Sequence, residues 1–374
     1  MIKSRQAWWW LGLAIVLVAL VLDLTHRPER IGIDFHTYLA AANVGLHQGW
    51  QHIYDQPLVA VAQKQLSSSQ WTQPFLSPPS VAWLVAPLTL LPYSVAYGIW
   101  AAFTFLALAV ALAWAGASAG TGRWVAVVAA LTAWWVLHAV NVGQVVPLVA
   151  AGVVVAWRLL RTDRDIAAGI ALSLMFLKPN TAILVPFALL IAGRYRAFAA
   201  WLASGAVIFL LAFLLLGTHG LGAYISQLRA PLPTGADALT LKGALGATGA
   251  VALALRAVIV GAVAATAFRL RSSPGLVVPV AVIGSLIVSP YLHASDLCLL
   301  SAAAWMIWEE RPMAAWRAPL AVGWILASPF LFQLGLSPSL NRWPLLEYAL
   351  LLAIVVGAWR PFTGAADLRT RAPA

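Results

Sequence analysis

The sequence predicts an all-α protein that is embedded in a membrane, and two observations lead to this fold class. Hydrophobic residues make up 62% of the 374 residues and charged residues only 9%, and the mean hydropathy is +0.86. Soluble domains carry about 25% charged residues. Apolar runs recur along the whole chain, and in lipid such runs form helices because a helix satisfies its own backbone hydrogen bonds. We therefore expect a single polytopic membrane domain over residues 1–374.

The first apolar run, residues 7–22, follows Lys3 and Arg5 and has the outline of a signal peptide. The residues after it, Asp23-Leu24-Thr25-His26-Arg27, contain no small-x-small cleavage site, so we predict a retained first helix. Further apolar runs complete a prediction of about twelve spans. These runs lie at roughly 93–115, 123–138, 145–158, 165–178, 180–192, 197–217, 245–268, 275–289, 296–308, 317–334 and 344–359.

One further apolar segment, residues 79–91, is bounded by Pro78-Pro79 and Pro92. It is either a re-entrant half-helix or a short helix that spans the membrane. Several predicted spans are also shorter than the roughly 20 residues of a full crossing. Short spans favour half-helices packed around a cavity, where neighbouring protein satisfies broken backbone.

The distribution of basic residues predicts the orientation. With 79–91 re-entrant, about two thirds of the 23 Lys and Arg residues lie on the side of the two termini, which the positive-inside rule assigns to the cytoplasm. The net charge of +11 therefore reflects orientation in a membrane, and we expect no nucleic-acid partner. Cys298 is the single cysteine, which excludes an intrachain disulfide and favours a small core residue.

On this topology, polar side chains from separate segments meet on the non-cytoplasmic side. The first segment lies in a predicted polar outer loop, residues 25–78, and the others lie at helix ends. They are Asp34-Phe35-His36, Ser77-Pro78-Pro79, Asn141-Val142-Gly143-Gln144, Lys178-Pro179-Asn180 and Tyr291-Leu292-His293-Ala294-Ser295-Asp296. A carboxylate, a cation and an imidazole on one face predict a site that faces away from the cytoplasm.

The same segments, in this order, resemble the polyprenol-phosphate-mannose-dependent mannosyltransferases of glycosyltransferase family 87, within the GT-C superfamily. The resemblance runs from Lys3 to about residue 300. The residues that carry it are Asp34-Phe35 with Tyr38, then Gly45 and Tyr54, Ser77-Pro78-Pro79, Ala86-Pro87-Leu88, Leu91-Pro92, Gly143-Gln144, Leu177-Lys178-Pro179 and Ser289-Pro290-Tyr291-x-His293-x-x-Asp296-Leu297.

The chain departs from the family pattern at three places. The family often has an aromatic residue before Pro-Pro, where this chain has Leu76-Ser77. It often has Asn two residues after Gly-Gln, where this chain has Val146, and an aromatic residue before the last Asp, where this chain has Ser295. These departures leave the candidate catalytic carboxylate in place and bear on the identity of the sugar and the acceptor.

The resemblance implies a reaction at the outer face of the plasma (inner) membrane. A polyprenyl-phosphate sugar, mannose by resemblance, is transferred to a hydroxyl of a lipid-linked or cell-envelope glycan in one inverting displacement. Asp34 would be the general base. The lipid phosphate leaves as an anion, so it needs cations or hydrogen-bond donors nearby. The candidate substrate-binding residues are Lys178, Arg256, His293, Asp296, Gln144 and Tyr38.

Each candidate also has a structural interpretation. Asp34 could be an ordinary loop carboxylate or a helix cap, and Gln144 could simply close a helix end. Lys178 could snorkel to the interface. Arg256 lies in mid-helix, where a cation normally faces a cavity or a partner. His293 and Asp296 are three residues apart and could hydrogen-bond each other on one helical face.

The sequence leaves two other functions open. A transporter or lipid-sugar flippase would show internal repeats and deep ionisable groups; we find no repeat, and only Arg256 is clearly deep. A non-catalytic assembly or sensor protein would tolerate loss of Asp34. The histidines of the outer loop, His36, His47 and His52, lack a typical metal-ligand spacing, so we expect no metal or other cofactor, although a divalent cation is possible.

Overall fold

The structure is a computed structural model that describes residues 11–12, 14–19, 21–22, 31–68, 70–116, 121–230, 237–272, 274–310 and 314–359. All regular secondary structure in these ranges is helical, as the sequence predicts. Of the first predicted span, residues 11–12, 14–19 and 21–22 are described, and they are helical. Residues 1–10 and 23–30, which include Lys3, Arg5, Arg27 and Arg30, lie outside the described residues.

We number the α-helices from residue 33 onward. They are α1 (Ile33–Gln48), α2 (Gln56–Leu66), α3 (Pro79–Val85), α4 (Tyr93–Ala115), α5 (Thr121–Leu131), α6 (Trp134–Asn141), α7 (Val146–Leu160), α8 (Asp165–Leu172), α9 (Leu184–Ile191), α10 (Tyr195–Arg229), α11 (Leu241–Leu245), α12 (Gly249–Arg269), α13 (Pro274–Val288), α14 (Cys298–Glu309), α15 (Ala314–Leu326), α16 (Pro329–Gln333) and α17 (Trp343–Trp359). Short 3-10 helices lie at Trp50–His52, Ala86–Leu90, Ser173–Leu177, Pro179–Thr181, Ala294–Leu297 and Leu340–Arg342.

Four helical segments among the described residues are long and apolar enough to cross a membrane. They are α4, α10, α12 and Leu340–Trp359, and the bent pair α5–α6, with a 54° angle, would add a fifth. The prediction of twelve spans is therefore not confirmed. Several predicted spans are shorter apolar helices, among them Val146–Leu160, Asp165–Leu177 and Gly275–Val288, and the separate segment Pro79–Leu90 is a shorter apolar helix too. Whether residues 79–91 cross or re-enter the membrane stays open.

The described part of the segment predicted as a polar outer loop is mostly helical, and its position outside the membrane stays a prediction. Residues 31–66 contain α1 and α2, which pack against each other. Helix α1 is buried over most of its length before an exposed last turn, and Phe35 and Leu39 have no exposed surface. The many hydrogen-bonding side chains of this segment favour the prediction of an exposed loop. They give no indication that its apolar residues enter the core.

Helix packing places α7 and α13 at the centre of the bundle. Helix α7 packs against α4, α8 and α14, and α13 packs against α9, α12, α14 and α17. Both helices are buried over most of their length, including Val149 and Val153 in α7 and Val280 and Ile283 in α13. The connections at one end of these two helices, 142–145 and 289–297, carry the candidate site. We call this end of the bundle the Asp34 end.

Candidate active site at the Asp34 end

The Asp34 carboxylate is held by two side-chain amides. Asp34 lies in the first turn of α1 and is partly exposed. Gln73 Nε2 donates to Oδ1 at 2.7 Å, and Gln144 Nε2 donates to Oδ2 at 2.9 Å. The Asp34 backbone N–H donates to the Val142 carbonyl at 2.8 Å. The carboxylate is therefore fixed in orientation, and one lone pair on each oxygen stays free to accept a further proton donor.

The turn between α6 and α7 brings Gln144 to Asp34. Gly143 in this turn has φ 77°, a left-handed conformation that favours glycine. A Cβ at this position would lie 2.5 Å from Phe35 Cβ, so the turn packs directly on the start of α1. Two side chains of α4 hold the turn, since Trp100 Nε1 donates to the Gly143 carbonyl at 2.9 Å and Tyr97 Oη donates to the Asn141 carbonyl at 2.7 Å.

Tyr38 sets the orientation of the Gln144 amide. Its hydroxyl donates to Gln144 Oε1 at 3.0 Å, so the amide NH2 points towards Asp34. Tyr38 is buried and contacts the edge of the Phe75 ring at a centroid distance of 6.4 Å. In this structure Tyr38 acts on Asp34 through Gln144.

A buried ion pair forms the second part of the site. Lys178 Nζ lies 2.6 Å from Asp296 Oδ1, and the two side chains are 9% and 0% exposed. Lys178 stands at the corner between the 3-10 helices Ser173–Leu177 and Pro179–Thr181. It does not snorkel to a surface, because its ammonium group is buried against a carboxylate. A buried ammonium requires such a partner.

His293 contacts Asp296 through its backbone, which corrects the expected pairing of the two side chains. The His293 N–H donates to Asp296 Oδ2 at 2.9 Å, and its ring packs edge-on to Tyr291 at 6.0 Å. The imidazole is exposed. Its pKa is nevertheless lower than the ordinary value, first because packing against the protein removes part of the water around the ring and then because the Lys178 cation disfavours the charged form. The imidazole is therefore neutral at neutral pH, with one nitrogen free to accept a hydrogen bond.

The two parts belong to one site. The 3-10 helix that carries Asp296 packs against α6, just before the Gly143 turn. The Asp34 charge also acts on both Lys178 and His293. Asn180 ties the corner together, since its Nδ2 donates to Ser289 Oγ at 3.2 Å and to the Tyr291 carbonyl at 3.3 Å. These contacts join four of the five segments that were predicted to meet, all except Ser77-Pro78-Pro79.

Arg256 is the one candidate that no hydrogen bond or ion pair joins to this cluster among the described residues. It lies in α12, half-buried, and its Nε is buried without a partner. It shares a helical face with Ala252 and Val263, both of which are buried. Arg256 therefore lies on the inward face of α12.

Sequence reasoning missed Gln73, which supplies half of the support for Asp34. Gln73 is itself held by Gln63, which accepts from the Gln73 N–H at 3.0 Å and donates to its carbonyl at 2.7 Å. No motif marks these glutamines, because their contacts depend on how the chain between α2 and α3 folds over α1. Within the described residues, no group of three or more His, Cys, Asp or Glu side chains could hold a metal ion.

A scan against models of protein families matches residues 75–290 to glycosyltransferase family 87, which is more than half of the chain. The chain belongs to glycosyltransferase family 87. The protein is therefore a membrane glycosyltransferase. The family-87 match includes Gln144, Lys178 and Arg256, whereas Asp34 precedes it and His293 and Asp296 follow it. Searches of curated proteins and of solved structures found no match.

Proposed function

We propose that the protein transfers a sugar from a polyprenyl-phosphate donor to a hydroxyl of a lipid-linked or cell-envelope glycan. The sugar is mannose, as the resemblance implies, and the transfer inverts the anomeric carbon. The site faces the non-cytoplasmic side of the plasma membrane. The observation that carries this proposal is a carboxylate held by two amides beside a buried cation, at the end of the bundle that the positive-inside rule assigns to the outside.

In this proposal Asp34 is the general base. An alcohol is a poor nucleophile at neutral pH, and a positioned carboxylate takes its proton as it attacks. The hydroxyl oxygen forms a bond to the anomeric carbon while the bond to the phosphate oxygen breaks. The two amides donate hydrogen bonds to Asp34 but do not transfer a proton to it, so the carboxylate can act as a base.

Lys178 would stabilise the lipid phosphate as it leaves. The leaving group departs as a phosphate anion and needs no general acid, unlike the alcohol that leaves in glycoside hydrolysis. Asp296 positions the ammonium group of Lys178 within the site. The neutral imidazole of His293 would contact the sugar or the phosphate from the exposed side of the same pair. The reaction as proposed uses no metal ion.

Arg256 would be the second cation for this phosphate, and the register of α12 and α13 supports the assignment. These consecutive helices pack together, and a Cβ at Gly284 would lie 2.5 Å from Val263 Cγ2. Two helical turns, about 10 Å, separate Val263 from Arg256 on one helix. Tyr291 follows Gly284 by seven residues, the same separation in sequence as between Arg256 and Val263. Arg256 thus lies at the level of the connection that binds Asn180.

Replacing Asp34 with asparagine tests the base. We expect Asp34→Asn to insert and fold normally and to lose about 100-fold or more of the transfer rate, since general base catalysis contributes about 10²–10⁴-fold. Transfer from radiolabelled polyprenyl-phosphate mannose is measured in liposomes. The matched control is Asp55→Asn, an aspartate of the same segment that lies before α2, beyond the other end of α1.

Three outcomes would each contradict a part of the proposal. Full transfer by Asp34→Asn would remove Asp34 as the base, while leaving the reaction class intact. Absence of transfer by the wild-type protein, with correct insertion and with other polyprenyl-phosphate sugars also inactive, would exclude this donor class. An equal loss in Asp55→Asn would indicate a structural effect of charge removal in this segment.

A further inference from the structure

A break in α10 opens a groove that the proposed reaction does not use. Gly217 has φ 60° and ψ −169°, so α10 bends at this residue. The bend opens a groove of about 410 Å³ lined by Gln51, His52 and residues 214–219. Non-helical backbone at a membrane surface is tolerated where it lines a polar cavity. The bend therefore marks a place where α10 leaves its apolar environment.

The groove has a polar wall and an apolar wall. The polar wall combines Gln51, His52, Thr218 and His219. The two imidazole rings meet edge-on at a centroid distance of 5.7 Å. Nδ1 of His52 is buried without a hydrogen-bond partner. Opposite these groups, the apolar part of α10 ends at exposed leucines, with Leu214 66% exposed.

The groove adjoins the candidate active site. Gly220 packs against the backbone of Gln51, where a Cβ would lie 3.0 Å from Gln51 Cα, so the two walls are fixed to each other. One turn further along α10, Tyr224 stacks on Tyr54 with ring centroids 4.7 Å apart. Tyr54 in turn stacks on Phe75 at 5.3 Å, and the Phe75 ring contacts Tyr38, which holds Gln144 against Asp34. A continuous series of aromatic contacts therefore joins the groove to the candidate site.

The lining selects the class of ligand. No lysine or arginine among the described residues lines the groove, which disfavours the phosphate of the donor, since a phosphate anion prefers cations. Imidazole, amide and hydroxyl groups instead match the hydroxyls of a sugar, because each can donate or accept a hydrogen bond. The exposed leucines at the other wall match an acyl or alkyl chain in the membrane.

We propose that this groove binds the sugar head of a membrane-anchored acceptor, and that the acceptor is therefore a glycolipid rather than a free glycan. The proposal rests on the proposed function, since it assumes transfer to a glycan hydroxyl. His52 and His219 hold the head at the membrane surface, and the anchor lies along the apolar part of α10. The rest of the glycan then reaches Asp34 past Tyr224.

The test compares two acceptors that differ only in their anchor, the hexadecyl and methyl glycosides of one mannose oligosaccharide, in nanodiscs. The variant is His52→Ala with His219→Ala, and the control is His47→Ala, an exposed histidine of the same segment that does not line the groove. We expect the wild-type KM to be lower for the hexadecyl glycoside. Loss of two to three hydrogen bonds should raise that KM about tenfold in the variant. The KM for the methyl glycoside should rise by a similar factor, because both glycosides carry the sugar that the two histidines bind. The KM for the donor should change less than about twofold.

Direct binding of the hexadecyl glycoside separates this inference from the proposed function. It is measured by native mass spectrometry on wild type and variant without any donor. Weaker binding by the variant alone supports the groove even if no transfer occurs, in which case only the proposed function fails. Equal binding by both proteins, or an unchanged KM for both glycosides in the variant, would overturn the groove as the acceptor site. Equal wild-type KM values for the two glycosides would overturn the role of the membrane anchor. A second variant, Thr218→Val, keeps the test open if the double variant does not fold.

Discussion

At the scale of single residues, the site depends on how each charged group is held. Asp34 was predicted from its motif, and the structure places Gln144 and Gln73 on its two oxygens. Gln144 could be predicted because it lies in a short polar motif between two apolar runs. Gln73 could not, since its position follows from a fold between α2 and α3 that leaves no periodic pattern. The candidate role of Asp34 was therefore predictable, whereas one of the two amides that hold its carboxylate, Gln73, was not.

The Lys178–Asp296 pair gives a prediction at this scale. Removing one partner leaves a buried charge unpaired, so we expect Lys178→Met to lower the free energy of unfolding by about 3–5 kcal/mol. The double variant Lys178→Met with Asp296→Leu removes both charges. It should regain most of the lost stability, because apolar residues of similar volume replace a buried pair at little cost. Thermal unfolding in detergent measures both variants.

The transfer rates of the same two variants then distinguish a structural role of the ion pair from a role in the reaction. If Lys178 stabilises the leaving phosphate, the double variant folds but transfers sugar at about 1% of the wild-type rate or less, as for loss of an electrostatic contact in an active site. A stable double variant with wild-type transfer would show that the pair is purely structural. The half-exposed pair Arg194–Asp163, which lies in the connections far from the site, is the matched control, and its loss should leave transfer unchanged.

At the scale of elements, short connections position the site more than the long helices do. The Gly143 turn carries Gln144, and the connection between α13 and α14 carries His293 and Asp296. Tyr97 and Trp100 of α4 hold the Gly143 turn in place. Apolar runs in the sequence locate α4 at the predicted 93–115. They do not reveal that α1 is buried beneath the turn, because burial there comes from tertiary packing and not from a hydrophobic stripe.

Gly143→Ala tests this element. The φ of 77° disfavours alanine by about 1–2 kcal/mol, and the new methyl would lie 2.5 Å from Phe35 Cβ. Overpacking adds about 1–3 kcal/mol. We expect a lower unfolding temperature and, because the turn must move away from α1, a loss of transfer as the Gln144–Asp34 hydrogen bond lengthens.

The control for this variant is Gly98→Ala in α4. A Cβ at Gly98 would meet nothing within 4 Å, so this change should keep or slightly raise stability, as alanine does in a helix. Wild-type stability and transfer in Gly143→Ala would show that the turn tolerates a side chain and does not position Asp34.

At the scale of the whole molecule, composition predicted an all-helical membrane protein, and the structure and the family agree with it. The number of spans was not predictable in the same way. Hydropathy detects apolar runs but not bends, so the predicted span 123–138 is the bent pair α5–α6, and 197–217 is the start of the longer α10. A run that is broken by a 3-10 segment, such as Asp165–Leu177, is too short to identify as a crossing by length alone.

Orientation is the last prediction, and it concerns the whole chain. The connection between α7 and α8 contains Arg161 and Arg164, and the positive-inside rule places such a connection in the cytoplasm. The Asp34 end must then face outside. We expect Thr72→Cys, next to the Gln73 that binds Asp34, to react with a membrane-impermeant maleimide in spheroplasts, and Thr162→Cys to react only after the membrane is permeabilised. Both residues are exposed, and Cys298→Ala removes the native, buried thiol. Labelling in the reverse order would place Asp34 in the cytoplasm, where a donor carried on the outer leaflet could not reach it.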